Sequence, residues 1–305
     1  MLSGTGYSRE NPVPGGKNPV PGGKNPVPGG ENPVPRGKNP VPGDTQMENK
    51  GELHMTKIII HGCNGSMGQV ITELARQDEN VNVVAGIDLK GSKNDSYPVF
   101  TSVAECDVKA DVIIDFSSAA AIDKLLEDAV DKKIPVVLCT TGLSKEQDNL
   151  VEEASKKIAI LKSANMSLGV NMLLKLLQSA AKVLSPADFD IEIVEKHHNK
   201  KIDAPSGTAL ALADSINEAL ENEYTYKYNR ADVKEKRDKK EIGISSVRGG
   251  SIVGEHEVIF AGVDEVIEFK HTAYSKAIFA KGAISAGKFL AGKKPGMYDM
   301  SNVIG

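Results

Sequence analysis

The chain has 305 residues, a net charge of −4, and 40% hydrophobic but only 5% aromatic residues, the composition of a water-soluble protein of one or two domains. That slightly acidic balance argues against nucleic-acid binding through bulk charge, and no stretch approaches the roughly 18 consecutive apolar residues of a membrane span. Cys63, Cys106 and Cys139 form neither a C-x-x-C pair nor an even framework, and no apolar secretory core opens the chain, so the expected compartment is the reducing cytoplasm.

Residues 9–43 repeat Asn-Pro-Val-Pro-Gly-Gly-Lys with small variations. Two prolines in each copy prevent helix, and the composition offers nothing to bury. Residues 1–54 are therefore expected to be a disordered leader outside the fold, with Met47 and Met55 both candidates for an original start. From Met55 the texture changes. Lys57 to His61 reads as a short apolar strand, followed by the glycine turn Gly62-Cys63-Asn64-Gly65-Ser66-Met67-Gly68 and by Val70, Ile71, Leu74 and Ala75 at helical spacing. Strand, glycine turn and helix form a nucleotide-binding opening, in which backbone amides and the helix start hold a pyrophosphate. A second strand, Val81 to Ile87, ends in Asp88, about twenty residues past the glycines, where a carboxylate takes ribose hydroxyls. Asp88 favours NADH, because a carboxylate repels a 2′-phosphate. Lys90 and Lys93 stand just beyond it and suit that phosphate, so NADPH stays open as well.

Three more strand and helix pairs follow: Val112 to Phe116 with a helix from about Ala119, Val136 to Cys139 with one from about Ser144, and Ile158 to Lys162 with one from about Leu168. This alternation predicts a Rossmann-type, doubly wound parallel α/β sheet over residues 55–184. Two of its strands run out into segments with polar groups at the edge where such sheets bind ligands: Cys139-Thr140-Thr141-Gly142 and Ser163-Ala164-Asn165-Met166. Asn165 suits a hydrogen bond to the nicotinamide ribose or amide. Cys139 has no histidine near it in sequence, which argues against a nucleophilic thiolate.

After Leu184 the pattern becomes strands in succession: Asp190 to Glu195, Ile242 to Val247, Glu255 to Phe260 and Val266 to Thr272. Alternating polar residues predict an antiparallel or mixed sheet with one covered face, a second α+β domain over 185–274 for substrate binding and oligomerisation. A helix from about Ser275 to Leu290 opens the segment 275–305, expected to return to the first domain. The charged run Glu221 to Glu241 reads as a solvated loop or helix edge.

Between the first strand of that second domain and its helix lies Glu195-Lys196-His197-His198-Asn199-Lys200-Lys201-Ile202-Asp203-Ala204-Pro205-Ser206-Gly207-Thr208. Two imidazoles and three ammonium groups beside a helix start suit an anionic substrate that must also receive a proton. With Pro205 and Ser206 as helix entry, the amides of Gly207 and Thr208 are left for a carboxylate or phosphate. His197 and His198 are adjacent on an extended segment, so they face opposite ways, and no metal site is expected. His61, His256 and His271 stand alone and read as structural.

Together with Ala164-Asn165-Met166-Ser167, Ser246-Val247-Arg248-Gly249-Gly250 and Val253-Gly254-Glu255-His256, these motifs make Met55 to Gly305 resemble the dihydrodipicolinate (4-hydroxy-tetrahydrodipicolinate) reductase family. Cys139 departs from the glycine common there and Lys276 from the arginine of many members, which keeps the charge but loses a bidentate grip. The resemblance implies a homotetramer built through the second sheet. It also implies reduction by NADH or NADPH of a cyclic imine dicarboxylate with loss of water, in lysine biosynthesis through diaminopimelate. By that resemblance His197 is the acid that protonates the ring carbon beside the one reached by hydride, and Lys201 the second donor. Gly207, Thr208 and His198 would hold substrate carboxylate. Rival readings are another nicotinamide-dependent enzyme, such as an aspartate-semialdehyde or homoserine dehydrogenase, and a nucleotide sensor without turnover. The first should lack the His197 to Thr208 string and the second His197 or Lys201, and all are present.

Overall fold

A computed structural model of the chain describes residues 55–91, 96–231 and 233–305. The repeat leader and Lys93 lie outside the described residues.

The first half alternates as its apolar spacing predicts. Strand β1 (Thr56–His61) leads into helix α1 (Ser66–Arg76), then β2 (Val81–Ile87), the two-residue β3 (Val99–Phe100) and β4 (Val112–Asp115). Helix α2 (Ile122–Lys132), β5 (Val136–Leu138), α3 (Lys145–Ser155), β6 (Ala159–Lys162) and α4 (Leu168–Leu184) follow. Two sequence signals set helix starts here. Ser144 and Gln147 form a reciprocal capping box at α3, and the Ser167 hydroxyl accepts from the Val170 amide at α4.

The second half contains β7 (Asp190–His197), α5 (Gly207–Ala219), β8 (Thr225–Lys227), β9 (Glu241–Arg248), β10 (Gly254–Ala261) and β11 (Val266–Ala273). Helix α6 (Ala277–Leu290), β12 (Gly296–Tyr298) and α7 (Met300–Ile304) complete the chain.

Two sheets result. The first is seven-stranded and parallel, in the order β12-β6-β5-β4-β1-β2-β3. Its strands are buried on both faces, as a parallel sheet requires. One face packs Ile58, Ile60 and Ile114 against Ile71 of α1 and Ala283 and Leu290 of α6. The other packs Ile59, Ile113 and Ile160 against Leu125 of α2 and Val151 of α3. Strand order reverses at β1, whose neighbours are β4 on one side and β2 on the other, and the crevice at that switch point is where such folds bind ligands.

The second sheet has the order β11-β10-β7-β9-β8. Helices α4 and α5 cover one face, with Leu177, Leu212 and Ile216 against Ile193, Ile244 and Phe260. The other face carries Val194, Val247 and Ile259 among charged residues. The sheet is mixed rather than antiparallel throughout: β10 runs antiparallel to β7 and β11, whereas β9 is parallel to β7 and β8. Helix α5 and the long connection after it return the chain to the start of the sheet, and that makes β9 parallel. The run Glu221 to Glu241, read as loop or helix edge, also holds the edge strand β8. The strand before the charged string runs two residues further than its alternation suggested, so His197 closes β7 instead of opening a loop.

Candidate active site

The glycine turn is built by contacts that only glycine allows. Gly62 has φ +82°, and a Cβ there would lie 2.6 Å from the Phe116 carbonyl oxygen; one on Gly68 would lie 2.5 Å from the Gly62 oxygen. Gly65 caps α1 with extended backbone and no side-chain cap, so the first amides of the helix have no intrahelical partner. Asp88, just past β2, faces this turn: its Oδ2 accepts from the Asn64 amide at 3.2 Å and its Oδ1 from the Lys90 amide at 3.1 Å. Across the switch point His61 Nδ1 lies 2.6 Å from Asp115 Oδ1, joining the carboxyl ends of β1 and β4. A cavity of about 530 Å³ opens here, lined among others by Gly62, Gly65, Asp88, Lys90 and Phe116. These features fit a dinucleotide: amides for the pyrophosphate, a carboxylate at the end of β2 beside the glycine turn for a ribose, and no side chain at the glycines of the cradle.

A second cavity of about 840 Å³ brings together segments far apart in sequence. Met67, Cys139, Thr141 and the Ser163 to Met166 turn line it from the first sheet, and His197, His198, Lys201, Gly207 and Thr208 from the other side. Phe116 lines both cavities. The two sides touch directly, since Asn165 Nδ2 donates to Thr208 Oγ1 at 3.1 Å. Asn165 is itself fixed, its Oδ1 accepting from the Ser167 amide at 2.8 Å and its carbonyl from Asn171 Nδ2 at 2.7 Å. Helix α6 presses on the same turn, because a side chain on Gly282 would enter the Met166 carbonyl.

Four expected cofactor residues face neither cavity. Cys63 is buried in the core against Gly86, and burial, with the charge of Asp88, pushes its thiol up to about 11. Thr140 is buried and its hydroxyl accepts from the Ser117 amide at 3.1 Å. Asn64 turns its side-chain amide to the Gly91 carbonyl, 2.5 Å away, and Ser66 is exposed in the first turn of α1. Cys139 does line the second cavity, but burial and Asp115 raise its thiol well above the usual value, which disfavours a thiolate.

On the side of the second sheet, Ser206 caps α5: its hydroxyl accepts from the Ala209 amide at 3.2 Å and lies 2.9 Å from His256 Nε2. The His197 and His256 rings meet edge to face with centroids 5.1 Å apart. His197 Nδ1 lies 2.6 Å from Glu195 Oε2. His198 Nδ1 is buried without a hydrogen-bond partner among the described residues. Lys201 Nζ lies 2.9 Å from Asp203 Oδ1, and that ammonium, with a further bond from the Gly207 amide, lowers the Asp203 carboxyl. Lys200 and Lys276 also line the cavity, giving it a cationic wall suited to a dianion.

Sequence reasoning did not find all of this wall. His256 and His271, read as structural, both line the cavity, as do Lys276 and Phe279 from the start of α6. Burial, then the charge of His197, holds His256 down to about 4, so it is a neutral imidazole near pH 7. The only signal for His256 was its place after the short motif Val253-Gly254-Glu255.

Known proteins share this sequence and this fold. The profile of the dihydrodipicolinate reductase N-terminus matches residues 56–166 and that of its C-terminus residues 169–304. A 4-hydroxy-tetrahydrodipicolinate reductase of Caldanaerobacter subterraneus subsp. tengcongensis is 54% identical over 250 residues, 82% of this chain and 98% of that protein. One from Clostridium tetani is 50% identical over 246 residues, 81% of this chain and 96% of that protein. Among solved structures, a dipicolinate-bound dihydrodipicolinate reductase from Paenisporosarcina sp. TG-14 shares the fold, with TM-score 0.67 and 24% identity over 81% of this chain and 99% of that one. Two family profiles that together span nearly all of the described chain, with relatives at about half identity along their full length, show that the chain belongs to the dihydrodipicolinate reductase family.

Proposed function

We propose that the chain reduces 4-hydroxy-tetrahydrodipicolinate to tetrahydrodipicolinate with loss of water, in lysine biosynthesis through diaminopimelate, and that the second cavity is where it does so. The observation that carries this reading is the meeting of the Ser163 to Met166 turn with the His197 to Thr208 string in one cleft, through Asn165 and Thr208.

The backbone amides of the Gly62 to Met67 turn and of the α1 start would hold the pyrophosphate and Asp88 the adenine-side ribose, while Cys139, Thr141 and Ser163 to Met166 would take the nicotinamide half. A reduced nicotinamide supplies the hydride when bound. Asp88 favours NADH, and Lys90 beside it gives NADPH a partner for its extra phosphate, so both serve. His197 delivers a proton to the ring carbon next to the one that accepts hydride, a task suited to an imidazole near neutral pH. Lys201 pairs with a substrate carboxylate, exchanging Asp203 for it, and the Gly207 and Thr208 amides with the Thr208 hydroxyl hold that end of the ring. His198, with its unpaired Nδ1, adds a hydrogen bond. The protein acts in the cytoplasm, consistent with its free thiols, and assembles as a homotetramer through the open face of the second sheet, where Val194, Val247 and Ile259 lie.

Dipicolinate, the ligand named for the Paenisporosarcina relative, is a planar dicarboxylate of the substrate's size. Calorimetric titration of the cofactor-loaded protein should show it binding, with affinity lost in Lys201→Ala and Thr208→Ala. Binding unaffected by either substitution would place the substrate elsewhere.

A further inference from the structure

Glu195 lies two residues before His197 on β7, so both side chains leave the strand on the same face. It is fully buried and does not line the cleft. Its carboxylate nevertheless gathers an unusual number of donors. Oε2 lies 2.6 Å from His197 Nδ1 and accepts from Arg248 Nη1 at 2.8 Å; Oε1 accepts from Arg248 Nη2 at 2.7 Å and the Ser206 amide at 3.1 Å. Arg248 is anchored in turn by the Asp203 carbonyl, 2.6 Å from Nη2. Burial alone would raise the Glu195 carboxyl, but the bonds from Arg248, Ser246, His197 and the Ser206 amide outweigh it and bring it down to about 2. A buried ion pair of this kind adds little stability over apolar packing, so stability alone does not account for it.

We propose that Glu195, clamped by Arg248, is the positioning residue that keeps a proton on His197 Nδ1 and thereby makes Nε2 the atom that loads and delivers the catalytic proton. This inference rests on the reading of His197 as the acid. An ionised carboxylate can only accept, so the nitrogen facing it carries hydrogen whether the ring is neutral or charged. Nε2 is then the nitrogen left to carry the transferable proton, and it lies beside Gly254, which also lines the cleft and where a Cβ would crowd it at 3.1 Å. In turnover the Nε2 proton passes to the substrate carbon beside the one receiving hydride. The Nδ1 proton stays, Glu195 remains ionised, and the neutral ring reloads from water. Arg248 spans both carboxylate oxygens and holds the carboxylate in place behind the ring. A carboxylate behind the imidazole of serine proteases divides the work in the same way.

The charged and titratable groups around this ring are Glu195 on β7, Arg248 on β9, His256 on β10 and His271 on β11, with Lys201 and Asp203 in the loop above. Helix α5 contributes only the polar start at Ser206.

Nitrogen-15 NMR of the imidazoles tests the tautomer without cofactor or substrate. In the wild-type protein, the neutral His197 ring should show a protonated Nδ1 and a bare Nε2, and Glu195→Gln should mix the two tautomers. Glu195→Gln should also lower kcat by about 100-fold, the size of a general-acid contribution, with KM and cofactor affinity near wild type, and Glu195→Asp should restore part of the loss. Added to His197→Gln, Glu195→Gln should cost little more, because the pair acts as a unit. A protonated Nε2 in neutral wild-type His197 overturns the inference, whether or not the Glu195 variants fold. So does wild-type kcat in a folded Glu195→Gln protein, or full additivity in the double variant. Undiminished turnover in His197→Gln would instead remove His197 as the acid, leaving the tautomer result to stand by itself.

Discussion

Lys201 and Asp203 form a 2.9 Å ion pair inside the cleft. The site is therefore partly filled by its own anion, and in the proposed binding mode a substrate carboxylate would enter by exchange with Asp203. Removing Lys201 as Ala should lower turnover by about 100-fold, as should His197→Gln, while fluorescence titration shows cofactor affinity unchanged. At the other cavity, Asp88 takes backbone donors from Asn64 and Lys90 but has no cation on it among the described contacts. Asp88→Ala should weaken NADH more than NADPH, and equal weakening would show that Asp88 does not hold a ribose. Most of these residues were legible because they crowd into one string. The grouping of Glu195, Arg248 and His256 was not, although each stands in a quoted motif, because strand pairing brings them together: Arg248 stands opposite His197 in the parallel pair, and His256 opposite Glu195 in the antiparallel one. Alternation along one strand carries no information about which strand lies beside it.

Helix α5 shows how an element end serves chemistry. Its cap Ser206 uses the amide for Glu195 and the hydroxyl for both Ala209 and His256. Ser206→Ala should cost about 1 kcal/mol for the lost cap, read from denaturant unfolding, with a further loss from the stranded imidazole. Helix α6 bears on the other half of the site, and Gly282→Ala should destabilise by about 1–3 kcal/mol through overpacking on the Met166 carbonyl. The parallel sheet and its helices were legible as strong apolar periods with serine caps. The edge strands β3, β8 and β12, two or three residues long, were not, since so short a segment has no period to detect and gains its form from the neighbour it extends. Nor was the parallel course of β9, since polar alternation is the same for either strand direction.

Across the whole molecule, acid should loosen the second sheet in two stages. His256 has a folded value of about 4 against 6.5 when free, so its contribution is complete above pH 6.5 and is lost as pH falls toward 4. Glu195, at about 2 against 4.5, contributes fully above 4.5 and loses that contribution on the way to 2. Calorimetry should show Tm falling between pH 6.5 and 4, and His256→Gln should flatten that limb while keeping a partner for Ser206. The two cavities, which both have Phe116 in their lining, are proposed to form one reductase site. The most direct test is loss of NADH and NADPH absorbance on adding pyruvate and aspartate semialdehyde with the synthase that condenses them. Oxidation of either cofactor that requires the synthase product, and that collapses in Lys201→Ala, is the predicted result; cofactor bound but never oxidised, with the product present, would contradict it.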